Sequence, residues 1–193
     1  MSGFFTPLTS ENLWEPDGLY KHGGSFLPGL STQRAFLSKE PTLVVTASKF
    51  EAYPSGIQFS LHVEGRGFSP GRFHFICSPS NVWPDDRYQH RFDTPEDTFR
   101  VGIEFSDGRR WQNLIEPGDN AIDARNGGGS GWHGPDHGAS TTKFWIGELP
   151  PPGILSIHAA WPSVGLEECS AEFDADELLA SASEAIPLFG STH

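Results

Sequence analysis

Ile57, Phe59, Leu61 and Val63 alternate with Gln58, Ser60, His62 and Glu64. A period of two predicts a strand with one buried and one solvated face. Leu43, Val45 and Ala47 show the same pattern just before it, and Phe73, Phe75 and Cys77 show it after a turn-rich segment at 65–71. A hairpin centred on Phe68 pairs Leu61 with Phe75, Val63 with Phe73 and Phe59 with Cys77, which keeps the apolar faces in register. That register sets His62 opposite His74. Phe99, Val101, Ile103 and Phe105 then alternate with Arg100, Gly102, Glu104 and Ser106. The turn Ser106-Asp107-Gly108 favours a three-residue loop with Gly108 left-handed, which pairs Ile103 with Trp111.

Residues 142–149 and Ile154–Trp161 read as strands on either side of the rigid turn Pro150-Pro151-Pro152-Gly153. The second turns Leu155, Ile157, Ala159 and Trp161 inward and His158 outward, and Pro162 ends it. Cys169, Ala171 and Phe173 mark a final strand. Asp174, with Glu177 three residues on, resembles a capping box and starts a helix over about 175–186. Leu178, Ala182, Ala185 and Ile186 share its apolar face, and Pro187 stops it. This succession of short strands and turns predicts a mainly β chain. Its expected form is an antiparallel β-sandwich, immunoglobulin-like, with one C-terminal α-helix; a β-barrel is the alternative.

Residues 1–41 sustain neither period and hold Pro7, Pro16, Pro28 and Pro41. They read as an irregular N-terminal arm ahead of a domain over 42–193. Phe4, Phe5, Trp14, Tyr20, Phe26 and Phe36 make the arm too aromatic for a disordered tail, so it is expected to pack on the domain or on a neighbour.

Several motifs now fall in a recognisable order: residues 101–109 (Val-Gly-Ile-Glu-Phe-Ser-Asp-Gly-Arg), then Gly127-Gly128-Gly129-Ser130-Gly131, then Phe144-Trp145 with Leu149-Pro150-Pro151-Pro152-Gly153. Ala160-Trp161-Pro162 with Gly165 and Glu168, and Ala185-Ile186-Pro187-Leu188, complete it. Over roughly residues 42–188 this order resembles a family of uncharacterised β-rich proteins of high-GC Gram-positive bacteria. The resemblance implies no activity, ligand or catalytic residue. The chain departs from the pattern in its long arm and in the interruption of its glycine run by residues 132–137.

The formal net charge of −12, with 25 acidic against 13 basic residues, argues against nucleic acid, whose phosphates are bound by Lys and Arg. An anionic membrane surface is disfavoured for the same reason. No apolar run approaches the roughly 20 residues that span a bilayer, and the N-terminal residues lack a signal-peptide pattern. A cytoplasmic protein is the expectation. Cys77 and Cys169 lie far apart on strand-like stretches and read as buried thiols rather than a disulfide.

Candidate chemistry is sparse. Six of the twelve residues from Gly127 to Gly138 are glycine, so this run reads as a loop that gives up side-chain packing for backbone freedom. Within it His133, Asp136 and His137 are ligand types for a transition metal. His62 with His74 is a second candidate pair, joined by His158 if its strand lies alongside. Gly128-Gly129-Ser130-Gly131-Trp132 fails the nucleophile-elbow pattern at its last position, and no Lys-Ser or Lys-Thr follows the glycines as a phosphate loop requires. No cofactor is implied. Trp132, in the glycine run, and Trp145, on the face opposite Phe144 and Ile146, are candidate partner-binding aromatics. These features favour a non-enzymatic interaction domain presenting the glycine-rich loop and an acidic surface to a protein partner or a second copy. A metal-dependent hydrolase using His133, Asp136 and His137, or a structural subunit of a larger assembly, are the alternatives.

Overall fold

The computed structural model describes residues 26–67, 99–112, 122–125, 131–134 and 137–189. Strands run in chain order as β1 (Phe26–Leu27), β2 (Gly29–Ser31), β3 (Ala35–Lys39), β4 (Leu43–Tyr53), β5 (Gly56–Arg66), β6 (Arg100–Glu104) and β7 (Arg110–Gln112). They continue as β8 (Ile122–Arg125), β9 (Gly131–Gly134), β10 (His137–Ile146), β11 (Ile154–Trp161) and β12 (Leu166–Asp174), followed by helix α1 (Ala175–Ser183) and β13 (Ile186–Pro187). One sheet has the order β2-β4-β5-β10-β8, with β3 also on β4 and β9 also on β10; a second has the order β12-β11-β6-β7, and β1 with β13 forms a separate two-stranded ribbon. Every pairing is antiparallel.

The two sheets form a sandwich rather than a closed barrel. Leu43, Val45, Ala47, Phe50, Ala52, Ile57, Phe59, Leu61, Val63, Phe144 and Ile146 from the larger sheet are buried in one core with Val101, Ile103, Trp111, Leu155, Ile157, Ala159, Ala171 and Phe173 from the smaller. Ring contacts cross between the layers. Phe173 meets Phe50 with centroids 4.7 Å apart, and Trp111 meets Phe144 edge-on at 6.5 Å. Within the larger sheet Phe59 is stacked between Phe50 and Phe144 at 5.5 and 5.2 Å.

In β4 the inward positions shift from odd numbers (Leu43, Val45, Ala47) to even ones (Phe50, Ala52). A bulge between Ser48 and Glu51, with Lys49 at φ 56°, inserts the extra residue that resets the alternation. Phe50 thereby reaches the core.

The β6–β7 hairpin has the expected form: Ile103 pairs with Trp111 and Gly108 is left-handed at φ 85°. Pairing of β5 differs from expectation. The predicted partners Phe73, Phe75 and Cys77 lie outside the described residues, but both edges of β5 are already taken. Leu61 pairs with Ala47 of β4 on one side and with Thr142 of β10 on the other. The short Pro54-Ser55 connection makes β4 the partner that costs least loop entropy.

Within the segment read as an irregular arm, β1, β2 and β3 are strands. They are too short for a periodicity test, and Pro28 separates the first two. Part of the glycine run is also strand, since β9 and the first residues of β10 pair across it, Gly134 opposite His137. Helix α1 is shorter than predicted. Its buried face is Ala175, Leu178, Ser181 and Ala182, whereas Ile186 leaves the helix for β13 and is 58% exposed. Asp174 caps it by accepting from the N–H groups of Asp176 and Glu177. The reciprocal half of the capping box is absent, because the Glu177 carboxylate takes the Ser31 hydroxyl at 2.6 Å instead.

Candidate functional site

Odd-numbered residues of β5 face the core, so His62 and Glu64 project from the outer face of the larger sheet. The β5–β10 register places Thr141 beside His62 and His137 beside Arg66, one step diagonal to Glu64. One histidine from each predicted pair therefore meets at a single carboxylate. His137 Nε2 lies 2.7 Å from Glu64 Oε1, His62 Nε2 lies 3.6 Å from Glu64 Oε2, and His62 Nδ1 lies 2.9 Å from Thr141 Oγ1. The hydrogen bond to His137 holds the Glu64 carboxyl below its usual value, against a smaller upward push from partial burial and with further help from His62.

A hydroxyl, an imidazole and a carboxylate thus stand in line, but the 3.6 Å gap exceeds a hydrogen bond. The short bond of Glu64 goes to His137, so Glu64 does not orient the His62 ring as a nucleophile's base requires. Among the described residues no group of three His, Cys, Asp or Glu side chains is placed to hold a metal ion. The arrangement is a hydrogen-bonded polar network on a half-exposed sheet face.

The other sequence candidates scatter. Asp136 and His74 lie outside the described residues, as do the side chains of Trp132 and His133, although the backbone of both lies in β9. His158 belongs to β11 in the opposite layer, so it cannot join His62; there it sits 3.6 Å from Glu104 with its side chain 13% exposed. Burial lowers its pKa, and the Glu104 charge opposes that shift. Trp145 is only 4% exposed, with Tyr53 edge-on at 5.4 Å, and is therefore a buried residue rather than an accessible anchor. Cys169 is a free, half-buried thiol whose Sγ donates to the Ala159 carbonyl; burial pushes its pKa up to about 11. Cys77 lies outside the described residues.

A surface that the sequence reading missed lies where the β1 and β13 segments meet. Leu27 pairs directly with Ile186, and both are more than half exposed, as are Leu30, Leu188 and Phe189. Single exposed leucines need no explanation, but Leu27 and Ile186 paired on one short ribbon, with Leu188 and Phe189 next in the chain, do.

Helix α1 leads into β13 and packs on β2, the strand that follows β1. Glu184 caps its C-terminus and leads through Ala185 into β13. On the other side Gly29 packs on the helix so closely that a Cβ there would lie 1.7 Å from the Ser181 carbonyl oxygen. The available signal was Ile186-Pro187-Leu188-Phe189, an apolar run around a proline that no helix can continue through.

No family model matches this chain, and neither a curated protein nor a solved structure does. Among the described residues no helix is long and apolar enough to cross a membrane.

Proposed function

We propose that this chain is a non-enzymatic protein-interaction domain that docks a protein partner on the β1–β13 ribbon. The observation that carries the reading is the exposure of Leu27, Ile186, Leu188 and Phe189, each at least 55%, on and just beyond the paired β1 and β13 segments. An anchored apolar surface loses little conformational entropy on binding, which favours recognition. The reading moves the docking site from the glycine-rich loop, Trp132 and Trp145 to the joined β1 and β13 segments. A cytoplasmic setting, supported by the free thiol of Cys169, and kinship with the Gram-positive family belong to the same proposal.

The test is a pull-down with wild type and a Leu27→Ser/Ile186→Ser double variant. Because both side chains are exposed, the double variant should keep its stability within about 0.5 kcal/mol per site. The reading expects a stoichiometric partner retained by wild type and lost by the variant. Identical retention by both baits, or no retained protein at all, contradicts it.

A further inference from the structure

Asp107-Gly108, in the turn between β6 and β7, is a dipeptide open to spontaneous isomerisation, because glycine has no side chain to hinder attack by its amide nitrogen. In that reaction Gly108 N bonds to Asp107 Cγ, and the amide proton leaves as water with a hydroxyl from the protonated carboxyl. Water then reopens the succinimide. Opening at the main-chain carbonyl carbon leaves isoaspartate, whose backbone runs through Cγ and is one carbon longer. An added carbon in this turn shifts β7 against β6, where Trp111 pairs with Ile103 and is buried in the core.

The turn opposes each step. Gly108 N–H donates to the Phe105 carbonyl at 2.9 Å, so the attacking nitrogen is already engaged. Asp107 Oδ2 accepts from Arg109 Nε at 2.7 Å and Oδ1 accepts from the Arg109 amide at 3.1 Å. Both oxygens are thereby held on Arg109, and the carboxyl cannot swing freely onto Gly108 N. Burial pushes the Asp107 carboxyl up, but the hydrogen bonds and charge of Arg109 outweigh it and hold the group below its ordinary value. An ionised carboxyl has no hydroxyl to lose. Arg109 is fixed in turn: its Nη1 donates to Glu148 Oε1, and its Cζ lies 5.1 Å from the centroid of the Phe105 ring.

We infer that Arg109, anchored by Glu148, guards the Asp107-Gly108 bond against succinimide closure, and that Asp107 is the site of covalent modification once this guard is removed. The Arg109 and Asp107 side chains are 36% and 40% exposed, and a pair so exposed adds little to folding stability. The same restraint acts on a reaction barrier, where a small difference is read as a rate.

The experiment incubates the full chain at neutral pH and body temperature as wild type, Arg109→Ala and Glu148→Gln, beside a synthetic peptide spanning 103–111. Peptide mapping with electron-transfer fragmentation measures isoaspartate at Asp107 apart from the chain's other Asp-Gly and Asn-Gly bonds, Asp17-Gly18 and Asn126-Gly127. Arg109→Ala is expected to isomerise at Asp107 about fivefold faster than wild type. Glu148→Gln is expected to fall between them, and the peptide to react fastest. Circular dichroism before incubation identifies the folded variants; if Arg109→Ala is unfolded, Glu148→Gln carries the comparison alone. Wild type reacting as fast as the peptide overturns the assignment, as does a folded variant reacting no faster than wild type.

Discussion

The side chain of Gln33 brackets the backbone of Asp174, donating from Nε2 to its carbonyl at 2.9 Å and accepting from its N–H at 2.7 Å. A residue 141 positions earlier thereby holds the N-cap of α1, Asp174, whose own carboxylate accepts from the amides of Asp176 and Glu177. Together with the Ser31 to Glu177 bond, this contact fixes the β2–β3 segment to the helix. Gln33→Ala is expected to lower unfolding free energy by about 1 kcal/mol, the net worth of two exposed hydrogen bonds at the low end of their range. Urea denaturation of the two proteins measures it.

Gly29 is the point of closest approach between β2 and the helix. A Cβ at 1.7 Å from the Ser181 carbonyl oxygen, with Ser181 C at 2.5 Å, meets backbone that cannot rotate away. Gly29→Ala therefore has to push β2 off α1. The expected result is a loss of several kcal/mol, or faster amide exchange confined to 26–31 and 175–187 if that corner opens alone. Hydrogen exchange by mass spectrometry distinguishes this from an unaffected fold.

Phe59 fills the centre of a three-ring stack with no exposure to solvent. Phe59→Ala is expected to cost about 3–5 kcal/mol through lost transfer energy and the cavity left between Phe50 and Phe144. Chemical denaturation reads the loss directly.

Where side chains repeat with period two over a long stretch, the sequence was a sufficient guide. The inward faces of β5, β6 and β11 and the Gly108 turn followed from local chemistry alone. The partner of β5 did not, because two candidate strands had matching faces and only tertiary packing distinguishes them. Lys49 concealed a change of phase in β4. The meeting of His62 with His137 needed the β5–β10 register, 75 residues apart in the chain, which no spacing rule supplies. The β1–β13 ribbon was hidden because strands of two residues carry no periodicity, and Ile186 was absorbed into the neighbouring helix pattern.

Acid should destabilise the fold in two separable windows. His158 has a lowered pKa in the folded state, so the native form binds fewer protons than the unfolded chain. Its contribution is complete above the unfolded value of 6.5 and is lost as pH falls through the folded value. Glu64 is also lowered, relative to 4.5; its contribution is present above that value and disappears as pH falls further. Unfolding free energy should start to decline just below pH 6.5 in wild type. His158→Gln should remove that first decline, and Glu64→Gln should flatten only the slope below pH 4.5. A wild-type profile flat from pH 7 to 5 contradicts the His158 assignment.

The most direct test is a methyl NMR spectrum of the full chain, labelled at Leu and Ile, recorded as the protein retained in the pull-down is added. Docking on the ribbon predicts shifts at Leu27, Leu30, Ile186 and Leu188, with the buried methyls of Ile57, Leu61 and Ile157 unmoved. Shifts centred instead on methyls distant from the ribbon, or an unchanged spectrum at saturating partner, contradict the account.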